Sequence, residues 1–408
     1  MNMNEPKLRF KAFSDELSHH TLMDIIVEKP SNGIMNRQSD KVTAVKHINV
    51  IDMYTDDKIH VDELSYSEYD DTAVEKCNVE IGDIFLTRSS VKADGIAKSN
   101  ILLDDGIYVY DDHLIRIKVD KSKYIPEFVN DYLASPRFRR QFIVRAKTTA
   151  FTTIGQGDVA SCAGDFPSLP EQQKIAEFLS TIDTVIEKQK ETVSAWEERK
   201  KGVMQRLFSQ EVRFKANDGS DFPEWEKKKI GDVCEQIKET IDPMSKPKNL
   251  FVEYSMPAFD NEMKPDIVYG DTMNSIRKVI RRPCVLINKL NVRKRRIWNV
   301  ANPEDNAVCS AEFVPLTSDV MNLTFVTYFA LTDWFTKHLL DCSTGSSNSQ
   351  KRVTPDVILN VKMSVPCLAE QQKIADCLSS LDEVIEKQKA TLAAWEELKK
   401  GLLQQMFI

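Results

Sequence analysis

The chain has 408 residues, with 55 Lys and Arg against 62 Asp and Glu, and 42% of its residues are hydrophobic. That length predicts two or three domains with sizeable cores. The formal charge of −7 speaks against a protein that coats nucleic acid by global positive charge, but not against a reader with local basic patches. The eight cysteines lie in no CxxC and the six histidines at no metal-ligand spacing, so neither a disulfide framework nor a zinc site is expected. No signal peptide or long apolar run appears, and the expected location is the cytoplasm.

The N-terminal stretch Lys7-Leu8-Arg9-Phe10-Lys11 returns as Glu211-Val212-Arg213-Phe214-Lys215. Asp15-Glu16-Leu17 faintly echoes Phe222-Pro223-Glu224-Trp225, and Met23-Asp24 echoes Gly231-Asp232. The chain therefore begins as though it had just left a long helix, which predicts that its N-terminal residues lie beside the end of the second long helix. Val42 to Asp52 and Asp83 to Arg88 read as strands, short apolar runs bounded by turn residues. Gly106 to Val119 reads as two strands with an Asp-Asp turn. Pro126 to Ala146 reads as helix interrupted at Pro136. A polar stretch, Lys147 to Gly157, follows. Ser168 and Glu171 then have the spacing of a capping box.

Glu171 to Phe208 is the feature that organises the chain. It returns 199 positions later as Glu370 to Phe407, with 25 of the 38 aligned positions identical. A repeat this long sets the architecture: two halves, each a variable globular region followed by one long helix. Both copies are rich in Glu, Lys, Gln, Ala and Leu, contain no Pro, and span about 57 Å at 1.5 Å per residue. Their apolar residues follow a heptad. Ile175, Ile182, Gln189 and Trp196 form one row, with Leu179 and Ile186 in the other. The second copy supplies Ile374, Leu381, Gln388 and Trp395, with Leu378 and Ile385. Such a seam buries itself against another helix, and the nearest partner is the other copy. Antiparallel pairing about a pseudo-two-fold makes Gln189 face Gln388 and puts Lys200 near Asp376 and Lys399 near Glu177. The bland alternative has each helix packing separately on its own globular region. The two tryptophans read as seam packing rather than function.

The second half repeats the order after a turn-rich linker, Ala216 to Ser220. Cys284 to Lys289 replaces the strand at Asp83 to Arg88, and Leu323 to Leu340 replaces the helical segment. Val361 to Pro366 leads into the second long helix.

Catalytic signatures are missing. There is no GxxxxGK[ST] loop, no GxGxxG after a strand, no HExxH and no GxSxG. Nor is there the Asn/Asp-Pro-Pro-aromatic tetrapeptide expected of an amino-methyltransferase. The positive signal lies in basic, polar loops. Asn288 to Trp298 places five cations after a strand, including Lys289, Arg293, Lys294 and Arg295, together with Asn291. Lys and Arg attract phosphate, while Arg and Asn have the geometry to read guanine and adenine edges. Arg277, Lys278, Arg281 and Arg282 are expected to extend this patch. Thr344, Gly345, Ser346, Gln350, Lys351 and Arg352 form a second loop suited to phosphate contacts. The matching residues of the first half are Arg88, Ser89, Ser90 and Lys92, then Arg145, Lys147 and Thr149. The structural alternatives are a solvated charged hairpin, a flexible linker and a solvated helix face.

The residues Leu169-Pro170-Glu171-Gln172-Gln173-Lys174-Ile175-Ala176, their second copy Ala369 to Ala375, the entry Phe222-Pro223-Glu224-Trp225…Ile230-Gly231-Asp232 and the loop Ser343-Thr344-Gly345…Gln350-Lys351-Arg352 resemble the specificity subunits of type I restriction–modification systems. The resemblance runs the length of the chain. It departs in the first half, where Leu17 stands for the entry Trp, Met23 for the Gly, and Thr148 to Thr152 for the Ser-Thr-Gly loop. It implies an α+β fold: two α/β target recognition domains, residues 1–168 and 211–367, joined by two long helices, 169–210 and 368–408, in an antiparallel coiled coil. Each domain would read one part of a bipartite, asymmetric double-stranded DNA target, with half-sites about one helical turn, ~34–36 Å, apart. The helices would act as spacer and dock two modification subunits. Those subunits carry S-adenosylmethionine, and restriction subunits add ATP- and Mg-dependent cleavage. The chain itself would hold no cofactor and catalyse nothing. The competing reading is a non-catalytic coiled-coil adaptor with two protein-binding lobes.

Overall fold

A computed structural model describes residues 6–55, 57–345 and 350–407. The chain divides into two compact units, residues 1–192 with 389–408, and residues 193–388. The division falls inside both long helices, which run unbroken over Leu169–Phe208 and Leu368–Met406.

In the first unit a four-stranded sheet has the order Ser31–Asn32, Leu114–Ile117, Ile84–Thr87, Ser99–Ile101. A second has the order Gln38–Ser39, Ser65–Ser67, Val45–Ile48, Ile107–Tyr110. The run expected as one long strand from Val42 holds the strand Val45–Ile48 and then a 3₁₀ turn, Val50–Tyr54. The two strands read on either side of the Asp-Asp turn do not pair with each other. Ile107–Tyr110 runs parallel to Val45–Ile48, whereas Leu114–Ile117 pairs with Ile84–Thr87. The chain changes sheets at Asp111-Asp112 because every residue of Leu114–Ile117 is buried and cannot be left on one solvated ribbon. The helical segment breaks where expected, into Pro126–Ala134 and Pro136–Arg145, with the Ser135 hydroxyl capping the second piece.

The second unit repeats this plan. One sheet has the order Glu235–Gln236, Phe313–Thr317, Cys284–Asn288, Ile297–Val300. The other has five strands, with Ala307–Ser310 parallel to Leu250–Tyr254. The helical segment again comes in two pieces, Leu323–Ala330 and Asp333–Asp341, capped by the Asn322 and Thr332 side chains.

The helix-pair expectation holds with one change of register. In the first unit Asp183 pairs with Lys399 and Lys190 with Glu396, so the helix segments run antiparallel. In the second unit Lys200 pairs with Asp382. Each seam lysine therefore reaches an aspartate six residues beyond the predicted Glu177 or Asp376, toward the C-terminus of the facing helix. Asp382 is also the acceptor for the Tyr328 hydroxyl at 2.6 Å, and no such second partner exists in the heptad pattern alone. Ile175, Leu179, Ile182, Ile186, Ile374, Leu378 and Ile385 are buried, and Gln189, Trp196, Leu381, Gln388 and Trp395 are half-buried. Both packing modes weighed from sequence operate together. Ile175, Leu179, Met406 and Phe407 enter the first unit's core, and Leu207, Ile374 and Leu378 enter the second's. Burying a Leu or Ile side chain contributes ~1.5–3 kcal/mol.

The EQQ motif has a physical reading at each helix start. Glu171 is 1% exposed and both its oxygens take Arg9, each at 2.7 Å. Glu370 is fully buried and takes Arg213 at 3.2 and 3.0 Å, and Trp225 Nε1 at 2.9 Å. The carboxylate of Glu171 thus serves Arg9 rather than the expected capping box. Gln172 accepts from the Ile125 amide and donates to the Lys123 and Pro167 carbonyls. Gln371 likewise accepts from the Asn322 amide and donates to the Pro366 carbonyl. The N-terminal echo is borne out in the same terms. The Leu8 amide donates to the Gln405 carbonyl at 2.9 Å, as the Val212 amide donates to that of Arg206 at 3.2 Å.

His47 is fully buried in the first unit, with neither ring nitrogen hydrogen-bonded. Burial pushes its pKa down to about 4 against the pull of Asp111 and Asp112. The unfolded chain takes this proton near the ordinary value of 6.5, and the folded one only near 4. Stability is therefore lost as pH falls through that window, on the order of 3 kcal/mol once complete. Asp83 acts with the opposite sign, since burial raises its pKa to about 6. The expected result is that His47→Phe melts less steeply with falling pH than the parent between pH 6.5 and 4, measured by thermal unfolding of both proteins. Parallel slopes contradict the assignment.

Candidate nucleic-acid interface

The loops singled out from sequence are far apart in the chain but adjacent within each unit. In the first unit Ser89–Ser90 extends from the end of the central strand Ile84–Thr87 and pairs with Thr152–Thr153, which pairs with Lys147–Thr148. The Ile154 amide closes this platform on the Arg88 carbonyl at 3.0 Å. In the second unit Leu290 pairs with Arg352, and Arg352 with Thr344. The Val353 amide donates to the Lys289 carbonyl at 2.9 Å, and the Asn291 amide to that of Lys351 at 2.7 Å. The two hydrogen-bond patterns superpose residue for residue. Arg88 corresponds to Lys289, Ser89 to Leu290, Ser90 to Asn291, Lys147 to Thr344, Thr152 to Lys351 and Thr153 to Arg352. Between its paired edges the second unit has two more residues than the first, counting Thr344 to Arg352 against Lys147 to Thr153.

Local chemistry explains the tips. Gly345 has φ +125°, and a Cβ there would lie 2.5 Å from the Gln350 carbonyl oxygen, so only glycine fits. Asn291 sits at φ 53°, a left-handed position that asparagine tolerates. Ser346 lies outside the described residues. Gln350 and Arg352 are exposed and Lys351 half-buried.

Asn288 is the brace of the basic loop. It is 2% exposed. Its Nδ2 donates to the carbonyls of Leu290 at 2.9 Å and Lys294 at 3.1 Å, and its Oδ1 accepts from the Arg296 amide at 3.1 Å. Asn288→Ala strips these bonds and takes from the buried Arg296 amide its side-chain acceptor, at a cost of about 1–3 kcal/mol. A melting curve unchanged within about 0.5 kcal/mol contradicts the brace.

The charges sort differently from the sequence expectation. Arg296, one of the five expected cations, is buried and donates from Nε and Nη2 to the two carboxylate oxygens of Asp260, at 2.8 and 2.5 Å. Arg295 donates to the Leu331 carbonyl at 3.0 Å and pairs with Asp333. Arg277 pairs with Glu253, Arg281 with Glu239, and Arg282 donates to Thr317. Lys278 turns inward to the Phe313 carbonyl, and burial lowers its pKa. The expected extension of the patch is thus engaged within the protein, Arg277, Arg281 and Arg282 in ion pairs and Lys278 on a main-chain carbonyl. Arg293 and Lys294 are exposed, Lys289 is half-buried, and Arg352 is half-exposed while pairing with Glu312 at 3.0 Å. In the first unit Arg88, Lys92, Lys147 and Thr149 are exposed, and the Arg145 guanidinium donates to the Gln141 carbonyl of its own helix.

Two neighbours escaped the sequence reading. Glu312 approaches Arg352 from the turn before the strand Phe313–Thr317, with no spacing to announce it. The Asp111-Asp112-His113 turn packs on Arg88, whose amide donates to the His113 carbonyl at 2.7 Å. These three side chains bring ligand-type atoms within 4.8 Å of one another, the one such group among the described residues. Their atoms already bond each other, His113 Nδ1 lying 3.1 Å from Asp111 and 2.9 Å from Asp112.

The architecture is that of a protein built twice, with a polar platform at the end of each central strand and a long helix closing each repeat. The type I restriction modification DNA specificity domain matches residues 223–394. The MjaX specificity subunit of Methanocaldococcus jannaschii, a putative type I restriction enzyme component, is 23% identical over 93% of this chain and 90% of its own length. The MjaVIII specificity subunit of that organism is 24% identical over 58% of this chain, and the HindI specificity subunit of Haemophilus influenzae 20% identical over 45%. The chain spans 59% and 41% of the lengths of these last two. The S subunit of a type I system from M. genitalium has the same fold, with a TM-score of 0.56 at 14% identity over 99% of both chains. A chain from a structure describing complex assembly and conformational transition of the type I R-M system gives 0.55 at 17% identity, over 96% of this chain and 97% of that one. Residues 223–394 thus match the type I restriction modification DNA specificity domain, and along most of its length the chain is similar to a type I specificity subunit.

Proposed function

We propose that this chain reads a two-part duplex DNA target, one part by each unit's platform, and that it docks two modification subunits along its helices. Those subunits supply S-adenosylmethionine and adenine methylation, and restriction subunits supply ATP- and Mg-dependent cleavage; this chain directs the chemistry and performs none. Its place is the cytoplasm, and none of the described helices is long and apolar enough to cross a membrane. The observation that carries the reading is the shared hydrogen-bonded frame with unlike tips. Phosphate contacts position a protein on DNA, and differing side chains specify. Ser89, Ser90, Thr152 and Thr153 in one frame against Leu290, Asn291, Lys351 and Arg352 in the other suit two different half-sites.

The test is a map of methylated adenines in DNA from cells co-expressing this chain and its modification subunit. A motif in two parts with a fixed gap is expected. Exchanging residues 211–367 for a relative's segment changes one part only, and a change in both parts overturns the modular reading. A protein-binding adaptor is the alternative. It predicts no DNA affinity, whereas a DNA reader loses affinity steeply as salt rises.

A further inference from the structure

The internal repeat supplies its own control for a groove in the second unit. Met204, Phe208, Trp225, Phe329 and Trp334 line an open cavity of about 380 Å³. Trp334 is 52% exposed yet held in place, stacked on His338 at 5.5 Å and against Phe329 at 5.9 Å. The rim is basic. Lys201 and Lys362 line it, and Lys362 and Ser364 face Lys229 and Lys227 across the strand pair Glu226–Lys229 and Lys362–Val365. Asp333, the acid at the edge, is already paired with Arg295.

Among the described residues, the apolar floor has no open counterpart in the first unit. Phe407 packs on Phe128 and Tyr132 as Phe208 packs on Phe325 and Phe329. There Leu17 stands for Trp225, and Arg137 for Trp334. Arg137 and His19 close on Asp165, at 3.1 and 2.7 Å. The register also puts Thr21 and Ala163 where the second unit has Lys229 and Lys362. Beside Leu17, Tyr132, Asp165 and Phe407 a cavity of about 20 Å³ remains, while Lys400, Leu403 and Pro136, the counterparts of Lys201, Met204 and Asp333, line a separate cavity of about 500 Å³ that holds no aromatic side chain.

We infer that this groove is a docking site for a segment of the modification subunit bearing a large apolar side chain flanked by carboxylates, and that the first unit has no equivalent site. The inference rests on the reading that the chain docks modification subunits. An apolar floor calls for a side chain to fill it, because a rigid exposed aromatic gains most by being desolvated against a partner. Four lysines around that floor select acidic flanks. Duplex DNA fits less well, since its outer surface offers phosphate but nothing to occupy the floor.

The test uses the full chain with its modification subunit, as Trp334→Arg, which installs the first unit's residue, and separately as Lys362→Glu. Titration followed by native mass spectrometry reads how many modification subunits bind and how tightly. For Trp334→Arg one of two is expected to weaken by about 30-fold or more while the other is unchanged, and Lys362→Glu is expected to weaken the same one. Melting of each variant alone is expected to match the parent, because both side chains are exposed. Two subunits bound by the variants as tightly as by the parent overturns the groove assignment and leaves docking intact. Equal weakening of both subunits overturns the asymmetry. A parent chain that binds no modification subunit overturns the docking reading itself, and this inference with it.

Discussion

Replacing Glu370 with alanine lowers the stability of the second unit by about 3 kcal/mol or more. The carboxylate is fully buried and accepts three bonds, two from Arg213 and one from Trp225. Its loss strands the indole N–H and leaves a guanidinium that keeps only the Phe222 and Pro223 carbonyls and exposed Glu224. Removing one partner of a buried pair costs far more than the pair contributes, because the remaining charge is uncompensated. The double substitution Arg213→Met with Glu370→Met is therefore expected to recover most of the loss. Glu171→Ala should cost less, since Leu17 occupies the tryptophan position and one bond fewer is broken. Urea unfolding followed by tryptophan fluorescence checks all three, and equal costs for Glu171→Ala and Glu370→Ala contradict the role given to Trp225.

Replacing Lys289, Lys351 and Arg352 together with alanine flattens the salt dependence of DNA binding. Each phosphate contact contributes about 0.9 to the slope of log affinity against log salt, so three lost contacts lower it by about 2.7. Arg352 is half-exposed and paired with Glu312, so part of its charge is spent within the protein and the observed change is expected to fall somewhat short. Arg296→Ala behaves differently. Its charge is consumed by Asp260, so that variant loses stability while the salt slope stays near the parent's. Fluorescence anisotropy at several salt concentrations separates the two cases. An unchanged slope in the triple variant removes these residues from the interface.

The long helices were legible because a heptad is a one-dimensional signal and was written twice. The strands Ile84–Thr87 and Cys284–Asn288 and the break at Pro136 were legible for the same reason: local rules decide them. What escaped were properties of pairs distant in sequence. Nothing near Lys200 in the chain says that Asp382, tethered by Tyr328, will outcompete Asp376. Arg296 reads like its neighbours Lys294 and Arg295, yet it points into the core because the strand beginning at Ile297 turns it inward toward Asp260. Asn288 opens the loop read as basic and polar, and its side chain holds the loop's own carbonyls. The two basic loops were each recognised, but their pairing through Leu290, Thr344 and Arg352 needs the third dimension.

The platform's construction has an evolutionary consequence. Its edges are joined by main-chain bonds, from the Ile154 amide to the Arg88 carbonyl and from the Val353 amide to the Lys289 carbonyl. Main-chain bonds place no demand on side-chain identity. Apart from a position such as Gly345, where only glycine fits, mutations or short insertions between those edges are therefore nearly invisible to selection for folding, and fully visible to selection for what is bound. The two units already differ there by two residues without altering the frame. Novelty can accumulate at the tips by drift or recombination while the rest of the molecule stays robust.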